Sequence, residues 1–197
     1  MTADKTTLRK QLRQHLRQQR QSLSAQQQQA AAEKLSLHFA QLPELAESQN
    51  IAAYLASDGE LDLSPCIELI WGQGKQCYLP RVTSASQMEF RGYRQDSELQ
   101  NNRYGIAEPS NKAILISPEQ LDLVLLPLVG FSRDGGRLGM GGGFYDRAFA
   151  FKAHSLSKPT LIGVAHSLQE VEQLPIESWD IPLSAIITEQ GYFAAGS

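Results

Sequence analysis

The stretch LVGFSRDGGRLGMGGGFYDR, residues 128–147, organises the interpretation of this 197-residue chain. Six of the nine residues from 135 to 143 are glycine, a strand-like apolar run precedes them over 121–129, and a helix-like run follows over 144–151. Glycine permits positive φ and lets backbone N–H groups approach an anion closely, and a helix N-terminus attracts negative charge. Strand, glycine loop and helix in this order predict a phosphate-binding segment.

Two familiar glycine-rich fingerprints do not fit this stretch. The dinucleotide pattern G-x-G-x-x-G belongs near the start of a βαβ unit, whereas this loop lies in the last third of the chain. The P-loop ends in Lys followed by Ser or Thr, and Phe144 and Tyr145 stand there instead. A long connection without a function stays open as the alternative, although Arg137 and Asp146 are residues that a mere connection does not need.

Strand-like and helix-like segments alternate along the rest of the chain. The run 121–129 lacks polar alternation, which indicates a central strand buried on both faces. Other strands are predicted over 50–55, 76–79, 88–93, 160–165 and 185–188, and helices over 24–42, 63–71 and 168–174. This alternation predicts the α/β class with a mainly parallel sheet, in a single domain over residues 1–197 whose N-terminal helices, 1–42, pack on the α/β core.

Composition and charge exclude several classes of protein. No apolar run reaches the roughly 18–20 residues of a membrane span, and the polar N-terminus is unlike a secretory signal. Cys66 and Cys77 lack C-x-x-C spacing, so two reduced core thiols are expected. We therefore expect a cytoplasmic protein that has no membrane partner.

The first twenty residues carry six cations against one acid, a net charge of +5 in a chain whose overall charge is −3. Leu8, Leu12 and Leu16 recur every four residues, as in an amphipathic helix docked on a core. Most of the charges on this helix are expected to face solvent. Aromatic residues do not interleave with them, so no nucleic-acid partner is expected.

Several motifs resemble those of the 5-formyltetrahydrofolate cyclo-ligase family, also named methenyltetrahydrofolate synthetase. The segment RLGMGGGFYDR, residues 137–147, is similar to its signature R-L-G-x-G-x-G-[YF]-Y-D, and Lys5-x-x-Leu8-Arg9 resembles its N-terminal K-x-x-L-R. Further similar segments lie, in the family's order, at residues 54–61, 79–81, 104–109 and 179–182. The resemblance implies a single three-layer α/β/α domain.

The resemblance also implies an activity. The enzyme would close 5-formyltetrahydrofolate to 5,10-methenyltetrahydrofolate, consuming ATP and releasing ADP and phosphate through a phosphorylated formyl intermediate. The partners would be this folate and ATP, the cofactors ATP and Mg²⁺, and a monomer is expected. Catalysis would consist mostly of positioning and charge neutralisation, which fits a sequence without a nucleophilic triad.

Site residues follow from the resemblance, motif by motif. Arg137 and Tyr145 are the predicted catalytic residues, and Asp146 is the predicted Mg²⁺ ligand. The predicted ATP-binding residues are Lys5, Arg9, Arg137, Leu138, Gly139, Met140, Gly141, Gly142, Gly143, Phe144 and Tyr145. The predicted folate-binding residues are Leu55, Glu60, Tyr104, Met140 and Tyr145.

The chain departs from the family pattern at two positions. Ser184 stands four residues after Asp180, where many members have a second acid, and Met140 stands where some have a basic residue. The second metal ligand is therefore open, with Asp180 or water as candidates, and His166 at a predicted strand end is given no role.

Two rival functions also stay open. A sugar-phosphate sensor would need a DNA-binding helix pair, which residues 1–42 lack. A sugar-phosphate isomerase would need an acid–base pair without ATP, and the sequence alone does not exclude it.

Overall fold

An eight-stranded mixed sheet forms the centre of the fold in a computed structural model that describes residues 4–154, 158–177 and 179–195. The strands are β1 (Asn50–Ala52), β2 (Gln76–Val82), β3 (Met88–Tyr93), β4 (Leu99–Asn101), β5 (Ala107–Pro109), β6 (Leu115–Ile116), β7 (Leu123–Pro127), β8 (Gly130–Phe131), β9 (Arg137–Leu138), β10 (Thr160–Val164), β11 (Ala185–Thr188) and β12 (Gly191–Ala194). The helices are α1 (Lys5–Gln21), α2 (Ala25–Phe39), α3 (Pro43–Glu47), α4 (Ser64–Gly72) and α5 (Phe144–Ala148), with 3₁₀ turns at Pro118–Gln120, Ala150–His154 and Ser167–Gln169.

The sheet order is β12-β11-β10-β7-β1-β2-β3-β6, while β4–β5 and β8–β9 form separate hairpins. Neighbours from β11 through β10, β7 and β1 to β2 are all parallel, and the outer strands are antiparallel. Numbered by their order along the chain, the five parallel strands lie in the order 2-1-3-4-5. This doubly wound order has its switch point between β1 and β7, where such folds bind ligands beyond the carboxyl ends of the strands.

The two faces of the sheet are covered differently. Residues of β7 alternate, with Leu123 and Leu125 in the core beneath α2 and α4, and Val124 and Leu126 in the core of the opposite face. The opposite face is covered by Phe149, which follows α5, and by segments with little regular structure. The layer on that face therefore contains only short helical turns and no long helix among the described residues. The α/β class, the mainly parallel sheet and the buried central strand are confirmed.

Three predicted elements differ from the observed ones. The helix predicted over 24–42 has the expected capping box at Ser24, but α2 ends at Phe39, and Pro43 begins α3 instead of ending α2. Proline suits the first turn of a helix because the missing N–H has no helical acceptor there. The strand predicted over 121–129 is observed as the shorter β7 (Leu123–Pro127), and the separate hairpin strand β8 begins beyond it at Gly130.

The helix predicted over 168–174 is wrong. Only Ser167–Gln169 forms a 3₁₀ turn, after which Glu170 makes a parallel bridge with Phe131 and the Val171 N–H donates to the Phe131 carbonyl at 2.9 Å. Pairing with the hairpin therefore overrides the local helical pattern, as tertiary contacts often do. No helix among the described residues is long and apolar enough to span a bilayer.

Helix α1 lies across the loops at the carboxyl edge of the parallel strands. Leu16 packs with Val129 and Leu138, and a Cβ on Gly130 would approach the Leu16 side chain to 2.6 Å, so a larger residue there would force Leu16 to move. Arg20, near the end of α1, has no exposed surface. The expectation that most charges of this helix face solvent is wrong, because the arginines of α1 bind the loops beneath it.

Replacing Arg20 by Met is expected to destabilise the fold strongly. The buried guanidinium ion-pairs with Asp58 at 2.7 Å and satisfies the carbonyls of Asp58 and Leu128. Removing one partner of a buried ion pair costs about 3–5 kcal/mol, which urea denaturation would measure. Arg17→Met is the matched control, since Arg17 binds the same Asp58 but is 40% exposed, and its loss is expected to cost under ~1 kcal/mol. Equal losses in the two variants would contradict this account.

Candidate active site

The loops that carry the predicted site residues leave the two strands at the switch point. Residues 53–60 follow β1, and residues 128–146 follow β7. One guanidinium joins them, since Arg20 donates from Nε to the Asp58 carbonyl at 2.9 Å and from Nη1 to the Leu128 carbonyl at 3.0 Å. The buried amide of Gln169 also donates to the Leu128 carbonyl, at 2.7 Å. The two loops are thus held in a fixed relation beneath α1.

The turn after β1 has a tightly specified backbone. Asp58 has φ of 53° and Gly59 has φ of 74°, and a Cβ on Gly59 would lie 3.2 Å from the Arg20 carbonyl oxygen. The Glu60 N–H donates to the Ser57 carbonyl at 2.9 Å, and the Ser57 N–H donates back to Glu60 Oε2 at 3.1 Å. This reciprocal pair fixes the direction of the Glu60 side chain.

Glu60 is a largely buried carboxylate. Burial raises its pKa above the ordinary value, while the charge of Arg20 and the hydrogen bonds from Ser57 oppose that rise. Its Oε1 atom lies 3.7 Å from Arg20 Nη2, and no hydrogen-bond donor to Oε1 is found in the described part of the chain. Glu60 therefore keeps an acceptor oxygen that a ligand could use.

Tyr145 directly follows the glycine loop, and its phenol is within electrostatic reach of Glu60 and Arg137. Burial raises the pKa of its phenol, and the negative charge of Glu60 raises it further, whereas the positive charge of Arg137 lowers it. The ring stacks on Phe149 with centroids 6.4 Å apart. Beside it, Tyr54 is buried and donates to the Leu61 carbonyl at 2.7 Å. The effects of Glu60 and Arg137 on the pKa of Tyr145 indicate that these three residues lie near one another, while their roles stay predictions.

The glycine loop is held from two sides. Arg13 donates from Nε to the Gly139 carbonyl at 2.8 Å, and Arg147 donates to the carbonyls of Gly142 and Ser86. Gly141 has φ of 97° and Gly143 has φ of 62°, conformations that favour glycine. Helix α5 has only five residues, so attraction for an anion must come mainly from loop N–H groups and arginines.

Arg137 and Asp146 bind each other. Arg137 is 7% exposed, its Nη2 donates to Asp146 Oδ1, and its Nε donates to the Ile181 carbonyl at 2.8 Å. The Ile181 N–H donates to the same Asp146 oxygen at 3.2 Å. One oxygen of the predicted metal ligand is therefore already engaged with a cation.

The two cations predicted from α1 also have partners in the C-terminal segment. Arg9 makes a two-pronged contact with Asp180 at 2.8 and 3.3 Å and donates to the Pro175 carbonyl at 2.7 Å. Lys5, which is more exposed, lies 3.3 Å from Glu177. Asp180 also accepts from the Glu177 N–H at 2.9 Å, so both its oxygens are engaged.

The remaining predicted residues are less closely connected to this cluster. Met140 is 54% exposed at the glycine loop, and Leu55 is half-buried against the main core. Tyr104 is 56% exposed on the β4–β5 hairpin, where Arg103 lies over its ring at 4.8 Å. No hydrogen bond or ion pair within the described ranges joins the Tyr104 side chain to Glu60.

The described residues do not form a metal site by themselves. They contain no group of three or more His, Cys, Asp and Glu side chains that could hold a metal ion. Asp180 is committed to Arg9, and Asp146 contributes one carboxylate. Mg²⁺ often binds through one or two carboxylates together with substrate phosphates, so the donors fit an ion that is bound together with a nucleotide.

Sequence reasoning missed two important arginines and the role of Asp58. Arg13 contacts the glycine loop, and Arg20 joins the switch-point loops to Asp58. The signal was the arginine stripe at four-residue spacing on α1, which sequence alone does not distinguish from a solvated face. Cys66 and Cys77 are free and buried, as predicted, and burial raises the pKa of both thiols to about 12.

Comparisons with known proteins all find similarity to one family. The model of the 5-formyltetrahydrofolate cyclo-ligase family matches residues 3–189. The 5-formyltetrahydrofolate cyclo-ligase of Escherichia coli (strain K12) is 42% identical over 176 residues, which cover 88% of this chain and 96% of that protein. The enzyme of that name from Haemophilus influenzae is 37% identical over 185 residues, which cover 92% of this chain and 98% of that protein.

Solved structures extend the similarity to the fold. The NMR structure of Aquifex aeolicus 5,10-methenyltetrahydrofolate synthetase gives a TM-score of 0.84 at 30% sequence identity, covering 96% of this chain and 94% of that chain. A 5,10-methenyltetrahydrofolate synthetase from Mycoplasma pneumoniae gives 0.74 at 26% identity, covering 92% and 98%. The similarity thus spans nearly the whole length of each chain.

The Asp58 carboxylate is expected to make stability depend on acid pH. The Arg17 hydrogen bond is the largest cause that lowers its pKa from 3.8 to about 2, with Arg20 assisting and burial opposing. Because the folded-state pKa is depressed, the stabilisation is present above the unfolded value and is lost as pH falls toward 2. A shift of this size sets an upper bound of about 2 kcal/mol on the stabilisation, and solvent screening of the partly exposed Asp58–Arg17 pair lowers it below that bound. Urea denaturation of the parent and Asp58→Asn should show their difference shrinking between pH 5 and pH 2. A pH-independent difference would rule out this titration.

Proposed function

The chain belongs to the 5-formyltetrahydrofolate cyclo-ligase family, and from this premise we propose that it catalyses the ATP-dependent closure of 5-formyltetrahydrofolate to 5,10-methenyltetrahydrofolate through a phosphorylated formyl group. The observation that most supports this activity is that an acidic surface and a cationic surface meet at the switch point. Glu60 supplies a carboxylate on one side, and the glycine loop with its arginines supplies a cationic surface on the other. A reaction between a nucleotide and a folate needs both.

The proposed chemistry explains why ATP is consumed. The formyl oxygen attacks the γ-phosphorus, the bond to ADP breaks, and the formyl carbon becomes an iminium-type electrophile that carries a phosphate. N10 of the folate then attacks this carbon, the bond from carbon to the phosphate oxygen breaks, and the N10 proton is lost. An amide oxygen is a poor leaving group, whereas phosphate is a good one. Phosphoryl transfer of this kind depends mainly on positioning and charge stabilisation.

The glycine loop is the proposed site of the ATP phosphates. Positive φ at Gly141 and Gly143 turns the loop backbone, and Gly139 has open space where a Cβ would be. We assign the phosphates to residues 137–145, with Lys5 and Arg9 as further predicted contacts from α1. Asp146 would hold Mg²⁺ together with phosphate oxygens, and when bound the ion would neutralise phosphate charge. Arg137, which donates to Asp146 and to the Ile181 carbonyl, would stabilise charge on the transferred group.

The reduced pterin is assigned to the side of Glu60. A carboxylate repels phosphate, so an acceptor oxygen at this position suits a ligand with N–H donors, and a reduced pterin has them. The reciprocal bonds with Ser57 orient Glu60 without ligand, which limits the entropy lost on binding. The charges of both Glu60 and Arg137 act on the pKa of Tyr145, and we assign Tyr145 to the boundary of the two substrates.

Three further folate contacts are proposed from the family motifs. Leu55 and Met140 would supply apolar surface, and Tyr104 would supply an aromatic face. The hairpin that carries Tyr104 is anchored through Glu108, which accepts from the Val82 N–H at 3.1 Å and from Asn102 Nδ2 at 3.0 Å. An exposed aromatic ring on an anchored hairpin is suited to cover an aromatic ligand.

An absorbance assay tests the proposed function directly. Protein, 5-formyltetrahydrofolate, ATP and Mg²⁺ are combined, and the methenyl chromophore is followed in the near ultraviolet. Formation that requires both ATP and protein is expected. If ATP is not consumed and no chromophore forms, the ligase proposal fails. Isomerisation of a sugar phosphate without ATP would favour the isomerase instead, and phosphate-sugar binding without turnover would favour the sensor.

Glu60→Gln is expected to weaken folate binding and leave ATP binding unchanged. The amide replaces a charged acceptor, so the loss should be about 1.5–3 kcal/mol, measured by calorimetric titration of each ligand separately. Glu68→Gln is a matched control because Glu68 is exposed on α4, away from the switch point. Equal folate affinity in Glu60→Gln and the parent would show that Glu60 acts only as a turn residue.

A further inference from the structure

His166 is a buried histidine beside the switch point that the proposed chemistry does not use. It follows β10, has 1% of its surface exposed, and its backbone N–H donates to Gln169 Oε1 at 2.9 Å. The Gln169 side chain in turn donates to the carbonyls of Leu128 and Val129 after β7. The backbone that carries the imidazole is therefore fixed to the loop that follows β7.

The imidazole of His166 faces the turn that follows β1. It interacts with the backbone of Gly59 and with the charge of Arg20, and helix α1 packs on the 3₁₀ turn that begins at Ser167. Its Nε2 atom is buried and has no hydrogen-bond partner in the described part of the chain. A buried polar atom without a partner lowers stability, so a histidine in this place costs stability that a phenylalanine would not.

The environment of the imidazole favours its neutral form. Burial is the largest cause that lowers the pKa of His166, and the charge of Arg20 lowers it further, whereas Glu189 and the Gly59 backbone oppose that change. Glu189 is not free to form a full ion pair, because both its oxygens accept hydrogen bonds from Ser167. A proton on the imidazole would therefore add a second cation beside the buried guanidinium of Arg20.

The other titratable groups nearby belong to the turn after β1. Both oxygens of Asp58 are held by arginines of α1, and Oε2 of Glu60 accepts from Ser57. Residues 128–132, which follow β7, contain no titratable side chain. A protonated imidazole would thus lack a fully free carboxylate and would have to move, and the Gly59 backbone that it contacts would move with it.

We propose that neutral His166 is a positioning residue for Glu60, and that protonation of its imidazole releases the turn at residues 58–60. Glu60 follows Gly59 directly, and its side chain is oriented by bonds to Ser57 within the same turn, so a displacement of Gly59 changes where the carboxylate lies. Mild acid then weakens the binding of a ligand that donates to Glu60. The identity of that ligand, the folate, rests on the proposed function, whereas the movement of the turn does not.

The first test is ¹H–¹⁵N NMR of the full-length protein without ligand, titrated between about pH 5 and about pH 8. The Gly59 and Glu60 amide signals are expected to shift with the same midpoint as the His166 imidazole, below the ordinary value of 6.5. His166→Phe keeps a ring but has no nitrogen to protonate, so it should abolish this step. His15→Gln removes an exposed histidine of α1 and should leave the step unchanged.

Calorimetric titration of folate provides the second test. Between about pH 8 and about pH 5, the folate affinity of the parent is expected to fall about 5- to 10-fold more than that of His166→Phe, since proton and ligand are coupled through the turn. The affinity for Mg²⁺-ATP should change equally in the two proteins, which a general loosening of the fold would not allow.

Several outcomes would overturn the proposal. An imidazole that stays neutral down to about pH 5 would do so, as would a Gly59 step that persists in His166→Phe, because Glu60 itself would then be its source. Equal pH dependence of folate affinity in the parent and His166→Phe would also refute it. If His166→Phe does not fold, as judged by circular dichroism, His166→Gln takes its place, since glutamine gains no proton in this range. A parent that binds no folate at any pH removes the ligase function, while the NMR titration still decides the role of His166.

Discussion

The buried guanidinium of Arg20 is the interaction on which the arrangement at the switch point depends. It reaches from α1 to the carbonyl after β7 and to both the carbonyl and the carboxylate of Asp58 after β1. A fully buried cation is tolerated only when it is paired and its N–H groups are satisfied. Arg20 holds the two loops, and each loop must in turn keep its backbone geometry for the N–H groups of Arg20 to remain satisfied. The direction of Glu60, two residues beyond Asp58, is a consequence of this constraint.

From this contact the site divides into two chemical halves. Glu60, shielded from water and beside Tyr145, forms the acidic half. The glycine loop, Arg13 and the Arg137–Asp146 pair form the other. Each acid of the two halves already has an arginine beside it, Arg20 for Glu60 and Arg137 for Asp146, so these charges are held in place by contacts within the protein. Such fixed dipoles and charges can stabilise charge that develops in a reaction without reorganising first.

The sequence predicted those features that depend on local patterns. The unbroken apolar run of β7, the capping box at Ser24 and the thiol state of the cysteines follow from burial, helix geometry and composition. The prediction from sequence failed where a contact between residues distant in sequence determines the local structure, as in the pairing of Val171 with Phe131. The arginines of α1 belong to that second class, because a stripe of charges looks the same whether solvent or a loop faces it. The roles of individual site residues stay predictions for the same reason.

The site is also completed by elements from opposite ends of the chain. The arginines lie within residues 9–20, whereas most of their partners lie beyond residue 127, in the glycine loop and near Asp180. Docking of α1 therefore both buries Leu16 and delivers the cations to the loop. A polyphosphate bound as proposed, only to the docked arrangement, would stabilise that arrangement by mass action. Under the proposed function, ligand binding and the attachment of the N-terminal helix would be one coupled equilibrium, and a change that loosens α1 would weaken nucleotide affinity even where it touches no ligand.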